Sequence, residues 1–129
     1  MMPAAGDTHE ARLVDDLTRT QIVQYAGASG DYNPLHSDEP FVTKVAGYPT
    51  VFAHGMLTMG MTGRALTEWL GQDALRSFGV RFSKQVWPGD TLTATFTVES
   101  VEDGVAQIAV SVRNAGGDEV LVGTATAAA

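Results

Sequence analysis

Around Gly71 the hydrophobic period of this chain changes, and that change narrows the folds open to it. From about Ala53 to Trp69, apolar residues recur at three- and four-residue spacing through Met56, Leu57, Gly60, Met61, Ala65 and Trp69, ending at Leu70. That period predicts a helix. Apolar side chains cover most of its circumference, so the helix is expected to be buried. Gly60 and Gly63 each weaken it by about 1 kcal/mol relative to Ala, and close approach to another backbone would compensate. Gly71 is a good stop. Beyond it the period is two. Phe78, Val80 and Phe82 alternate within Ser77 to Val86, and Trp87-Pro88-Gly89-Asp90 reads as a turn. Leu92, Ala94, Phe96 and Val98 then alternate with threonines at 91, 93, 95 and 97, the clearest strand pattern in the chain. Asp103-Gly104 is a hairpin pair. Ile108, Val110 and Val112 mark the next strand, Asn114 to Asp118 a turn, and Glu119 to Thr126 the last strand.

The remaining segments are shorter. Residues 1 to about 12 read as a loose end or a short edge strand. Thr18-Arg19-Thr20-Gln21 fits a capping box, which predicts a helix from about Arg19 to Ala26. It would bury Ile22, Val23 and Ala26, with Gly27 and Gly30 ending it. Asp31 to Pro40 reads as an ordered loop turning at Asn33-Pro34. A short helical piece is expected from about Pro40 to Val45, and Gly47 to Thr50 is loop. The expected architecture is α+β, an antiparallel meander wrapped around one long helix, with short sheet edges protected by dimerisation. The 129 residues form one domain, 1–129, large enough to bury a core unaided.

Several function classes are disfavoured. The net charge of −7 opposes binding to nucleic-acid phosphates. The Ala53 to Leu70 stretch carries Arg64 and Glu68 and is too mixed to span a membrane. The absence of cysteine excludes disulfides and thiolate metal sites and suits a reducing compartment. No leader pattern opens the chain, and the cytoplasm is the expected location. There is no glycine-rich phosphate loop and no nucleophile elbow.

Two constellations can carry chemistry. In Ser29-Gly30-Asp31-Tyr32-Asn33-Pro34-Leu35-His36, a carboxylate and an imidazole lie five residues apart across a turn. Folded toward one point, they form an acid/base pair around a water. On spacing alone the plainer account is the stronger one, a turn-capping Asp and a solvent-facing His. Asp38 and Glu39 read as solvated loop charges. In Phe52-Ala53-His54-Gly55-Met56-Leu57, Gly55 opens the long helix, where unpaired N–H groups carry partial positive charge. A carbonyl placed there would be stabilised as it becomes an enolate; equally, Gly55 serves tight packing and His54 serves as a cap. A metal held by His36, His54 and nearby carboxylates has no ligand spacing to support it. Met56, Met59 and Met61 are core filler or line an acyl channel. Arg81 and Lys84, with Arg76 just before them, are the cations best placed for substrate phosphates, which an acidic surface would otherwise repel. Each also reads as an ordinary exposed base.

Taken together, Tyr25 to His36, Ala53-His54-Gly55-Met56-Leu57 and Trp87-Pro88-Gly89-Asp90 resemble the MaoC-like (R)-specific hydratase family in motif, order and spacing. Ala53 to Gly60 is particularly similar to the β-type subunits of mycobacterial hydroxyacyl-carrier-protein dehydratases. The resemblance covers roughly Leu17 to Thr126. It implies a hot-dog fold with Asp31 and His36 as the catalytic pair. Gly55 N–H would serve as the oxyanion donor, with His54 and Asn33 beside the substrate and Asn33 bracing the loop. The implied substrates are trans-2-enoyl or (R)-3-hydroxyacyl thioesters of CoA or acyl carrier protein, hydrated or dehydrated with no metal and no cofactor. The implied assembly is a homodimer, or a heterodimer with a second, degenerate hot-dog subunit. The Pro-Gly-Asp segment would join neighbouring meander strands. Some relatives carry a helix serine near where Gly63 stands here. Competing readings are a thioester hydrolase on the same fold and a non-catalytic acyl-binding subunit.

Overall fold

A computed structural model describes residues 3–129. The first two residues of the N-terminal segment lie outside the described ones. Strand β1 (Thr8–Val14) leads into helix α1 (Arg19–Ser29). A 3-10 turn (Pro34–His36), the short helix α2 (Glu39–Phe41) and a π turn (Val42–Ala46) follow. Helix α3 (Gly55–Leu70) and strands β2 (Leu75–Phe82), β3 (Leu92–Glu102), β4 (Val105–Arg113) and β5 (Glu119–Ala128) complete the domain.

The five strands form one antiparallel sheet in the order β1-β3-β4-β5-β2. The hairpin at Asp103-Gly104 forms as the sequence predicts, both residues having positive φ (53° and 74°), as the primed turns require. Only β3, β4 and β5 form a meander. β2 does not pair with β3 but lies at the far edge against β5, with Val80 opposite Gly123. The segment Trp87-Pro88-Gly89-Asp90 therefore joins strands that are not neighbours. It is a clamp: Gly89 N–H donates to the Leu17 carbonyl at 2.7 Å, and Leu17 N–H donates to the Asp90 carbonyl at 2.8 Å. This fixes the residue before the Thr18 cap.

The capping box is present in full, with Thr18 accepting from Gln21 N–H and Gln21 reaching back to the Thr18 backbone. Such a cap is worth about 1 kcal/mol. The helix it starts runs on through Gly27 and stops at Gly30, which takes the left-handed conformation at φ 74°. Val23 faces outward at 57% exposure, so the buried side of α1 is Ile22 and Ala26.

On β3, β4 and β5 the inner face of the sheet is fully buried, the large residues Leu92, Phe96 and Ile108 alternating with Ala94, Ala106 and Ala125. Helix α3 lies on this face. Its buried stripe is Thr58, Thr62, Ala65, Leu66 and Leu70, while Met56 and Gly60 face outward. One side of the helix is thus open, contrary to the expectation of burial all round. Close backbone approach does not explain the helix glycines either. A side chain at 60 would meet nothing within 4 Å, and one at 63 would meet only the Phe78 ring at 3.6 Å. Thr62 satisfies its buried hydroxyl on the Thr58 carbonyl at 2.7 Å, a back-bond common to helix threonines. A sheet curled over one long helix is the hot-dog arrangement.

Candidate active site

Asp31 follows directly on the glycine that ends α1. The loop after it is organised by its own polar side chains. Asp31 Oδ1 accepts from Asn33 N–H at 3.2 Å, and Asn33 Oδ1 accepts from Leu35 N–H at 3.0 Å. Pro34 stands in the first turn of the 3-10 helix, where its fixed φ is favourable. The result turns the chain back within five residues and delivers His36 beside Asp31.

Residues 50–54 form the other wall. Phe52 N–H donates to the Leu35 carbonyl at 3.3 Å, and Ala53 N–H donates to the Val86 carbonyl at 2.8 Å. His36 Nδ1 lies 2.6 Å from the Phe52 carbonyl and donates to it, which leaves Nε2 as the bare ring nitrogen. His54 Nε2 donates to the Asp31 carbonyl at 3.0 Å. The His54 ring is almost fully buried, and its Nδ1 is sealed without a hydrogen-bond partner. The two imidazoles stack at 3.7 Å with a 24° tilt, Phe52 sits edge-on to His36, and Tyr25 sits edge-on to His54.

Burial pushes the His36 imidazole below its ordinary value of 6.5. The Phe52 carbonyl and the Asp31 carboxylate pull it upward, and His54 pulls it down. One carboxylate oxygen of Asp31 and one ring nitrogen each of His36 and His54 lie within 4.8 Å of one another. A water donating or accepting two bonds of about 2.8 Å spans roughly 4.6 Å, so this separation accommodates a shared water. A metal fits less well. Tetrahedral zinc holds its ligand atoms about 3.3 Å apart, and stacked imidazoles direct their in-plane lone pairs side by side rather than toward one point.

Gly55 begins α3 immediately after this wall. His54 gives the helix no side-chain cap, and among the described residues the Gly55 and Met56 N–H groups have no partner in the chain. Gly55 lies on the wall of a cavity of about 260 Å³ with Phe52, Thr58, Phe82, Lys84 and Val120. A methyl group at 55 would sit 3.1 Å from the Phe82 ring.

The structure brings Asp31, His36 and His54 together, with Gly55 next in the chain after His54; the cavity that Gly55 lines is walled by Phe52 and Lys84 and not by Asp31 or His36. Asn33 is turned into its own loop. Lys84 lines the cavity and pairs with Asp118 at 3.4 Å, whereas Arg81 lines a separate shallow groove with Gly79 and Thr124. Arg76 donates to the Asp73 carbonyl. Asp38 and Glu39, read from sequence as solvated charges, both have structural partners. Asp38 caps Phe41 N–H, and Glu39 reaches Arg19 and Val51. No sequence signal points to Glu39, because its partners lie 20 residues before and 12 after it. The Phe52 carbonyl is equally invisible, being a backbone atom.

The profile of the family described as "MaoC like domain" matches residues 2–119. Among curated proteins, 3-hydroxyacyl-thioester dehydratase Y of Mycobacterium tuberculosis is 37% identical over 93% of this chain and 42% of its own length. The peroxisomal enoyl-CoA hydratase 2 of Arabidopsis thaliana is 38% identical over 57% of this chain and 24% of its own length. The chain thus spans less than half of these curated relatives. Among solved structures, R-hydratase PhaJ1 from Pseudomonas aeruginosa matches with a TM-score of 0.86 at 26% identity, over 98% of this chain and 82% of that one. The ChsH1-ChsH2 complex from Mycobacterium tuberculosis matches with a TM-score of 0.86 at 26% identity, over 98% of both chains.

Proposed function

The chain belongs to the MaoC-like domain family, and from that premise we propose that it reversibly hydrates trans-2-enoyl thioesters of CoA or acyl carrier protein to (R)-3-hydroxyacyl thioesters. The observation that carries the reading is the approach of the Asp31 carboxylate to within 4.8 Å of a His36 ring nitrogen, with the His36 ring stacked on His54, the residue before the uncapped start of α3. Gly55 N–H polarises the thioester carbonyl, which makes C3 electrophilic and stabilises the enolate that follows. Water held by Asp31 and His36 attacks C3. One member of the pair takes its proton, and a proton is delivered to C2; dehydration runs the same steps backwards. His36 exchanges protons at Nε2, since Nδ1 is committed to Phe52. The two proton steps are shared by Asp31 and His36. His54 acts from below by holding the Asp31 backbone. Of the two strand cations, Lys84 is the one beside the cavity and the better candidate for a substrate phosphate.

The working unit is a homodimer joined along the open sheet edges, which β1 and β2 leave unpaired. A second arrangement is the active subunit of a heterodimer. The full-length match to a chain of the ChsH1-ChsH2 complex favours it.

The test is a panel of enoyl-CoA substrates of increasing length, followed by enoyl absorbance and by free-thiol release. Loss of absorbance without thiol release is the expected result for the purified chain, alone or with a second hot-dog subunit. Thiol release in its place would make the protein a hydrolase.

The pH profile follows from His36. Its lowered pKa keeps the imidazole uncharged further into acid, so the acid limb of kcat/KM is expected below pH 6.5. An acid limb at or above that value would remove His36 as the titrating group.

A further inference from the structure

Glu39 closes a three-way clasp on the segment that supplies the hydrogen-bond acceptor of His36. Its Oε2 lies 2.7 Å from Arg19 Nη2, at the first residue of α1. Its Oε1 accepts Val51 N–H at 3.2 Å. The Thr50 hydroxyl accepts from the same Arg19 nitrogen at 2.7 Å and faces the Glu39 carboxylate. These contacts hold Glu39 below the usual carboxylate range, the Thr50 hydroxyl contributing most and Arg19 next. An ion pair this open to water adds little to stability. Its position matters more. Val51 is bonded on one side to Glu39, and the next residue is bonded on the other, Phe52 N–H to Leu35 and the Phe52 carbonyl to His36. Residues 50–52 are therefore gripped from both sides.

We infer that Glu39, with Arg19 and Thr50, is a positioning residue: by fixing residues 50–52 it holds the Phe52 carbonyl against His36 Nδ1, so that the ring presents Nε2 bare. The consequence for turnover rests on the proposed acid/base role of His36, but the consequence for its tautomer does not.

Imidazole nitrogen NMR on the full chain, above the titration of His36, reads the tautomer directly. Wild type is expected to show His36 protonated at Nδ1. Glu39→Ala admits the Nε2-protonated form, Thr50→Val shifts the balance less in the same direction, and Glu39→Gln, which keeps an oxygen for Val51 N–H, retains the wild-type pattern. With an enoyl thioester substrate, Glu39→Ala lowers kcat about tenfold, as displaced catalytic groups do. KM stays within about twofold, and Glu39→Gln restores most of the loss. A folded Glu39→Ala protein with unchanged tautomer and kcat overturns the inference. If that variant does not fold, an unchanged tautomer in Thr50→Val overturns it instead. A tautomer shift in a chain that hydrates no enoyl thioester would uphold the clasp and sink the functional reading, so the two failures are distinguishable.

Discussion

Replacing Asp31 by Asn, or His36 by Ala, is expected to lower hydration of an enoyl thioester by about 10²–10⁴-fold, the range that positioned acid/base groups contribute. Neither change touches the core. Asp31 is exposed, and asparagine keeps an oxygen for the Asn33 N–H that Oδ1 accepts. Loss of His36 leaves the Phe52 carbonyl without its 2.6 Å donor and removes a stacking partner of His54. That costs about 1–2 kcal/mol, which a domain of ordinary stability tolerates. The double variant is expected to be little worse than the worse single one, because two groups holding one water act as a unit. Enoyl absorbance gives the rates, and circular dichroism with a thermal melt shows whether each variant is folded. Near-normal turnover in either folded single variant would remove the pair from the mechanism.

The features that sequence carried well are those decided by neighbours within four residues. The Thr18–Gln21 box, the Asp103-Gly104 turn and the alternation from Leu92 to Val98 all depend on local chemistry, and all three appear in the structure. Which strand lies beside which is not local. The pattern around Phe78 and Val80 says that a strand is present, but nothing in it says that Val80 will face Gly123 rather than β3. The outward face of α3 escapes the sequence for a related reason. Apolar residues at Met56 and Gly60 look buried when the chain is read alone, yet this protomer leaves them open. In the site, the nearness of Asp31 and His36 is loop chemistry that Gly30 and Asn33-Pro34 allow, but spacing alone favours a turn-capping Asp and a solvent-facing His; Asp31 does cap its turn, whereas His36 is half-buried against Phe52 and His54. The His54 ring lying under His36, and the Glu39 clasp, join segments more than ten residues apart, and they emerge only when the fold brings those segments together.

Gly123→Ala is expected to be among the most damaging single changes outside the site. A methyl group at 123 would stand 2.2 Å from the Gly79 carbonyl oxygen and 3.0 Å from Val80 Cα. These are backbone atoms of the opposing strand, so no rotamer change relieves the overlap. β2 must move away from β5, and it is an edge strand whose one partner among the described residues of this protomer is β5. Overpacking of this kind costs about 3 kcal/mol, a large share of the 5–15 kcal/mol typical of a domain, and corresponds to a fall in Tm of about 10 °C. The consequence reaches the site. β2 ends at Phe82, which packs over Gly55, and the chain beyond it supplies the Val86 carbonyl that accepts Ala53 N–H. Loosened amide protection in β2 should therefore be accompanied by reduced turnover below the melting temperature. Gly79→Ala provides the control, since a methyl group at 79 meets nothing within 4 Å. It should leave Tm unchanged or raise it slightly by restricting the unfolded chain. If Gly123→Ala melts within about 2 °C of wild type with β2 amides fully protected, the strand contact is not the tight one described, and β2 does not hold the cavity wall through it.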